Sequence, residues 1–349
     1  MPELPDLVHV EAGLRAAVVG KRIAAARTGD PTVLRIMVTE PFPAALVGRT
    51  LNSVDRRGHF MRFGLGSRAA EAASPPQPIA GGLEPSEGSR SDDNLVVVVN
   101  AMLVGRYRLV PPGSESNKKD PRALALALAF DGAPELQYLD DKRMGKVYVA
   151  RTADEKTIPI YGQLGIDVLS PAFTRDALGA LIARRRDQVR AFVMDKRALA
   201  SVGNAYADEI LFAAGIHPKT FCNKLAPADI DALHAAIGRV LTEAIAEIRE
   251  RDEPIEVKVR DFLKVRGRDG KPCVVCGTTI RAVRVGDGDA CFCPHCQRET
   301  RKLFVNWTRL NDAPAAAPRT EAPAASAPRE KSRRPSRHST NRRPPTSGS

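Results

Sequence analysis

The 349-residue chain has no run of about 18 apolar residues, the length a helix needs to cross a bilayer. It also has no leading charged-then-apolar segment of the secretory kind. Both absences argue against a helical membrane span and an exported protein, so a cytoplasmic location without a secretion signal is expected. Cysteine is scarce outside one place: Cys273, Cys276, Cys291, Cys293 and Cys296 fall within 24 residues, and only Cys222 lies elsewhere. In a reducing compartment such clustering favours a metal site over a disulfide framework.

What is present is a chain long enough for a substantial core, 43% hydrophobic, with a formal charge of +12 and a pI near 9.7. A polyanionic partner such as nucleic acid fits that balance. Half of the excess lies in residues 313–349, where eight Arg or Lys face two Glu. Their Ala, Pro, Ser and Arg bias cannot bury a core, so this tail is expected to be disordered and to add non-specific affinity for a polyanion.

Residues 6–19 (DLVHVEAGLRAAVV) carry apolar positions at helical spacing and stop at Gly20. From Arg22 to about Ala150, runs such as HFMRFGL, NLVVVVNAML, ALALALAF and KVYVA alternate with turn clusters, the pattern of an all-β sandwich or barrel-like module. Residues 67–93 are too polar and too rich in Pro and Gly to pack, and read as a disordered insertion. From about Pro171 to Glu250 the pattern turns helical. Gly203 and Asn204 sit at the entry of one helix and Gly215 and Pro218 at its exit. A helix N-terminus near Asn204 can bind a phosphate, although an ordinary helical hairpin gives the same pattern.

The strongest local signal is CVVC at 273–276 and CPHC at 293–296, separated by sixteen residues. Each two-residue gap folds a turn that aims two thiolates at one ion, so Cys273, Cys276, Cys293 and Cys296 are expected to hold one structural Zn2+. Cys291 and His295 are expected to be non-ligands. The intervening GTTIRAVRVGDGDACF reads as two strands around GDGD, a β-hairpin finger.

The first six residues, MPELPD, carry a different kind of chemistry. Removal of the initiator Met would leave the secondary amine of Pro2 at the chain start, with the carboxylate of Glu3 beside it. A secondary amine forms an iminium that cannot lose an N–H proton, so it stays an electron sink for elimination, and the adjacent carboxylate can move protons. An N-terminus without chemistry is the plainer reading of these residues alone.

Taken in order, MPELPD, RRGHFMRF at 56–63, DDKRMG at 140–145, SVGNAYADEILFAAGIHP at 201–218 and the cysteine array resemble the formamidopyrimidine-DNA glycosylase and endonuclease VIII family. The resemblance covers nearly all of residues 2–297 and has no counterpart for the insertion or the tail. It implies an α+β multidomain fold: an N-terminal β-sandwich flanked by helices over 2–160, a helix–two-turn–helix domain over 161–255, a zinc finger over 256–307 and a basic tail over 308–349. It further implies a monomeric enzyme, nucleoid-associated if bacterial, acting on double-stranded DNA that contains damaged bases or abasic sites. The flipped base would be excised by attack of Pro2 on C1′, with Glu3 as acid/base, followed by β- and δ-elimination.

The same resemblance points to His59, Leu103, Lys142, Met144, Asn204 and Arg284 as DNA contacts, several of them departures from the family pattern. His59 stands where the family has Lys, so a cation present only part of the time is expected there, with activity falling as pH rises through neutrality. Gly288 stands where the finger hairpin usually carries Arg, leaving Arg284 as a substitute if the hairpin register shifts. Leu103 replaces a void-filling Met, Lys142 an Arg, and Met144 a Phe. A DNA- or lesion-binding homologue with weak glycosylase activity is the alternative these departures raise. The short stretch from the last helix to the finger resembles the endonuclease VIII branch and leans the expected substrate toward oxidised pyrimidines.

Overall fold

The computed structural model describes residues 2–68, 93–114, 123–286 and 288–298. The proposed insertion core, the basic tail and the last residues of the expected finger lie outside the described residues.

The N-terminal helix α1 runs Leu4–Val18, starting two residues before the expected boundary because Pro5 suits the first helical turn. The sandwich follows as β1 (Ile23–Arg27), β2 (Leu34–Ile36), β3 (Arg49–Arg57), β4 (Phe60–Arg68), β5 (Leu95–Asn100), β6 (Arg106–Val110), β7 (Leu124–Phe130), β8 (Ala133–Leu139) and β9 (Lys146–Arg151). One sheet has the order β1-β7-β8-β6 and the other β2-β9-β5-β4-β3, antiparallel throughout except for the β2–β9 pair.

β5 explains why LVVVVN is a continuous apolar run and not an alternating one. Val97 and Val99 face the sandwich core, whereas Val96 and Val98 join Phe60, Ile158 and Tyr161 on the opposite face. Both faces of this strand are therefore covered, and each fully buried valine contributes roughly 1.5 kcal/mol or more.

The helical part comprises α2 (Arg175–Ala183), α3 (Val189–Met194), α4 (Asn204–Ala213) and α5 (Pro227–Arg251). Leu178, Phe192, Ile210, Leu211, Leu233 and Ile237 form its core. α5 begins with Pro227 in its first turn and ends at Asp252, whose φ of 45° breaks the helix. The finger hairpin is β10 (Arg281–Val285) and β11 (Gly288–Phe292), with Arg284 opposite Asp289. Among the described residues no helix is long and apolar enough to cross a membrane.

One element ties the two large cores together. Leu7, Val10, Leu14 and Val18 of α1 are buried in the sandwich core, while Leu4 is buried in the helical core. The chain start is thereby fixed at the seam between them.

Candidate active site

Pro2 and Glu3 are both buried. The Glu3 backbone N–H donates to Asp6 Oδ2 at 2.7 Å. Its carboxylate reaches some two hundred residues along the sequence to the N-terminus of α4, accepting from Ala205 N at 3.0 Å and Tyr206 N at 3.1 Å. Those are two of the helix-end donors that have no partner within the helix. Gly203, which precedes α4, has to be small here: a Cβ on it would lie 2.4 Å from the Glu3 carboxyl carbon. Asp6 is in turn held by Arg260, whose Nη1 donates to Asp6 Oδ1 at 2.7 Å while Nη2 pairs with Oδ2. The first turn of α1 is thus clamped from both sides.

Lys196 lies beside this clamp. Its ammonium donates to the Val202 carbonyl. Burial draws its pKa down to about 8, against the pull of Glu3 and then Asp195 toward the charged form. Its charge also acts on His59, in the turn between β3 and β4. That turn is pressed against residues 198–201: Gly58 has a φ of 60°, and a Cβ on it would lie 2.8 Å from the Ala200 carbonyl. The His59 ring packs 4.4 Å from the Phe60 ring, and its Nδ1 is buried without a hydrogen-bond partner. Burial first, then Lys196, push its pKa down to about 4, with the Ala200 backbone acting the other way. The partial cation expected at residue 59 is corrected by this environment: near neutral pH the free protein carries an uncharged imidazole there.

The expected wedge residues occupy two adjoining turns. Leu103, between β5 and β6, is 49% exposed, and Met144, between β8 and β9, is 36% exposed with Lys142 also at the surface. Asp140 is buried and shapes the second turn by accepting from Lys142 N at 3.2 Å and Gly145 N at 2.5 Å. Arg106 links the turns, donating to Asp141 Oδ2 at 2.5 Å. Glycines 105 and 145 both close on Tyr138, since a Cβ on either would come within 2.6 Å of its hydroxyl oxygen.

On the other side of the seam α4 holds the finger. Asp208 is fully buried and accepts from Arg190 Nε at 2.7 Å, Arg266 Nη1 at 2.9 Å and Cys291 N at 3.0 Å. Glu209 accepts three backbone N–H groups, from Lys264, Val265 and Arg266, at 2.9, 2.9 and 2.8 Å. Burial raises the Glu209 pKa against those three bonds. Asn204 opens α4, with its Oδ1 accepting from Arg190 Nη2 at 3.1 Å. Arg284 is 68% exposed and stays within its own hairpin, donating to the Gly286 carbonyl at 3.2 Å.

The sulfur atoms of Cys273, Cys276, Cys293 and Cys296 all lie within 4.8 Å of one another. Two of the separations are 4.0 and 3.4 Å, and four thiolates around a tetrahedral zinc with Zn–S near 2.3 Å sit roughly 3.8 Å apart. The donor set fits zinc, and among the described residues Cys291 and His295 stand outside the cluster.

Sequence reasoning missed Lys196, Arg190, Arg260, Arg266, Asp208 and Glu209. Only the last two left a signal: adjacent acids inside the apolar run AYADEILFAA must find buried partners.

Three family models match the chain in order: the formamidopyrimidine-DNA glycosylase N-terminal domain over residues 1–147, the H2TH domain of the same enzymes over 164–252, and a zinc finger found in FPG and IleRS over 270–298. The last match and the four-thiol geometry together make the finger a structural zinc site. A formamidopyrimidine-DNA glycosylase of Symbiobacterium thermophilum is 31% identical over 303 residues, spanning 85% of this chain and 89% of that protein. The enzyme of Methylococcus capsulatus is 32% identical over 306 residues, spanning 85% and 100%. Among solved structures, the Thermus thermophilus protein is 28% identical with a TM-score of 0.67, spanning 86% of this chain and 100% of that one. The Lactococcus lactis enzyme, solved with DNA containing an abasic site, has a TM-score of 0.70 at 23% identity, spanning 85% and 100%. By sequence and by architecture, the chain belongs to the formamidopyrimidine-DNA glycosylase and endonuclease VIII family.

Proposed function

We propose that the protein is a base-excision-repair DNA glycosylase and abasic-site lyase that removes oxidised bases from double-stranded DNA through its own N-terminal proline. What supports the reading most is the Glu3 clamp: anchoring this carboxylate to α4 sets residue 2 at the junction of the two large cores. The division into a sandwich over 2–160, a helical domain over 161–255 and a finger over 256–307 is part of the same proposal.

With Met1 removed, the Pro2 amine attacks C1′ of the damaged nucleotide and the base departs with the glycosidic electron pair and a proton. Ring opening gives the iminium, and loss of the C2′ proton then expels the 3′ phosphate, with a second elimination expelling the 5′ phosphate. Glu3 is presented with both oxygens as acceptors, suited to stabilising the cationic sugar and taking up its protons. Leu103, Lys142 and Met144 are proposed to fill the space vacated by the flipped nucleotide, and Asn204 to contact the backbone. Cys273, Cys276, Cys293 and Cys296 would hold the zinc with four thiolates and leave it no open position for substrate, so it would support the finger fold and take no part in the bond changes.

Borohydride reduction during incubation with an abasic duplex tests the nucleophile. A covalent adduct is expected for the wild type, with intact mass showing a chain that starts at Pro2. Pro2→Gly should lose most of the trapping while binding DNA within a few-fold. Undiminished trapping in that variant would remove Pro2 from the mechanism.

A further inference from the structure

The two turns that carry Leu103 and Met144 are built alike. Leu103 follows Met102, whose φ is 45°, and Met144 follows Arg143, whose φ is 54°. Neither of these preceding residues is a glycine, so both turns hold left-handed backbone at a cost in strain. A hydrogen bond fixes each one: Met102 N donates to Asn100 Oδ1 at 3.1 Å, and Arg143 N to the Asp140 carbonyl at 3.1 Å. Asn100 and Asp140 are both buried. Backbone of this kind persists only where its surroundings over-determine it, and it collects at functional sites.

One hydroxyl lies beneath both turns. Gly105 comes two residues after Leu103, and Gly145 comes directly after Met144. A Cβ on Gly105 would lie 2.6 Å from the Tyr138 hydroxyl oxygen, and a Cβ on Gly145 only 1.9 Å from it. The Gly145 position is also 2.9 Å from Asp140 Oδ2, so the carboxylate that shapes the second turn adjoins the hydroxyl. That hydroxyl oxygen is sealed from solvent. Behind it the Tyr138 ring packs 5.5 Å from Tyr107, and Tyr107 packs 6.5 Å from Phe63. Three buried rings therefore run from the sandwich core to the underside of the two turns, and packed aromatic rings make a stiff support. A phenylalanine at 138 would fill the core as well, but only the tyrosine oxygen reaches both glycines.

We propose that Tyr138 is a positioning residue for base extrusion: its hydroxyl seats both turns, so that Leu103 and Met144 enter the duplex as one rigid pair. The inference rests on the glycosylase reading and concerns the step before its chemistry. Turns already held in place need no ordering when they displace a stacked nucleotide, which lowers the cost of insertion. Without the oxygen, the strained residues at 102 and 143 lose their common seat and the two side chains move independently. The role belongs to extrusion alone, because an abasic sugar in a single strand has no opposing strand to leave.

Tyr138→Phe tests the idea, because it removes the oxygen and keeps the ring in the core. Single-turnover cleavage of an abasic duplex should fall roughly tenfold, whereas cleavage of single-stranded abasic DNA should stay within about twofold of the wild type. The fluorescence of 2-aminopurine placed next to the lesion should show unstacking slowed by the same factor as duplex cleavage. Gly145→Ala lifts the second turn from the other side, since its Cβ cannot share space with the hydroxyl, and should give the same selective loss with Tyr138 intact. In protein carrying Leu103→Ala and Met144→Ala, Tyr138→Phe should cost nothing further, because Tyr138 acts through those two side chains. Equal slowing on duplex and single strand, an unchanged duplex rate in both variants, or an undiminished loss in the protein lacking Leu103 and Met144 would overturn the positioning role and leave the glycosylase reading standing. Wild-type protein that cleaves neither DNA would overturn that reading itself.

Discussion

The two walls of the seam treat their basic side chains differently. On the sandwich side, the β3–β4 turn presents His59, buried against Phe60 and uncharged near neutral pH. On the helical side, Arg190 and Arg266 outnumber the carboxylate they share, and Asn204 stands beside them. A basic chain does not have to spread its grip evenly, and here the fixed charge sits on the wall that zinc supports. On the sandwich wall the turns carrying Leu103 and Met144 present exposed apolar side chains, with Lys142 as a surface cation beside them.

Taking away the zinc is expected to break this asymmetry most strongly. Chelation, or Cys273→Ser, should disorder the hairpin and withdraw the Asp289 carbonyl that both arginines share. DNA affinity should then drop by on the order of a hundredfold, because structural zinc supplies folding energy directly. A metal-free protein that binds abasic DNA like the wild type would show that the finger wall is dispensable.

Asp208→Ala comes next. It leaves two guanidiniums and the Cys291 N–H without their buried acceptor, and should lower stability by about 3 kcal/mol or more in chemical unfolding. A loss below about 1 kcal/mol would mean that the arginines repair themselves with solvent.

Lys196 sharpens the comparison, because it belongs to the helical side but leans toward the sandwich wall. With its pKa near 8, its ammonium is present below that pH and fades above it. Single-turnover lyase rates are expected to decline as pH rises through about 8, and Lys196→Met should be slower at pH 7 and lack that decline. Stability runs the other way: the unfolded chain holds the proton up to about 10.5, so the cost of burying the charge disappears between about 8 and 10.5. A decline near pH 8 that persists in Lys196→Met would assign it to another group.

The smallest effect belongs to His59→Gln. With the ring already neutral, DNA affinity from pH 6 to 8.5 should stay within twofold of the wild type. Only acid stability should change. A histidine held at about 4 stabilises the native state above 6.5, and that contribution is lost as pH falls toward 4. Melting curves across that interval should be shallower in the variant, and a large affinity change near pH 7 would restore residue 59 as a phosphate contact.

What the sequence revealed and what it hid follow from distance along the chain. The zinc ligands, the helix entry at Asn204, the hairpin finger and the covered strand β5 are local patterns, and each is where its residues indicate. β3 was obscured because RTLNSVDRR mixes charges with apolar residues in a strand that is only partly buried. The fate of His59 was invisible for a deeper reason: its environment includes Lys196 and Ala200, more than 130 residues away in the sequence. The same holds for Glu3 with Ala205 and for Arg190 with Asp289, pairs that only tertiary folding brings together. Motif reading named the candidate residues, and long-range packing set their surroundings.

The burial of Pro2 and the clamp on Glu3 also bear on how such a protein can be handled. On the proposed mechanism, a purification tag fused ahead of Pro2 would turn the attacking amine into an amide, and the tag would have to leave from a buried residue. That mechanism predicts a DNA-binding protein that forms no borohydride-trapped adduct until a protease cuts directly before Pro2, and trapping by the uncut fusion would count against it. On the same mechanism the uncut fusion would serve as an inactive control that requires no mutation.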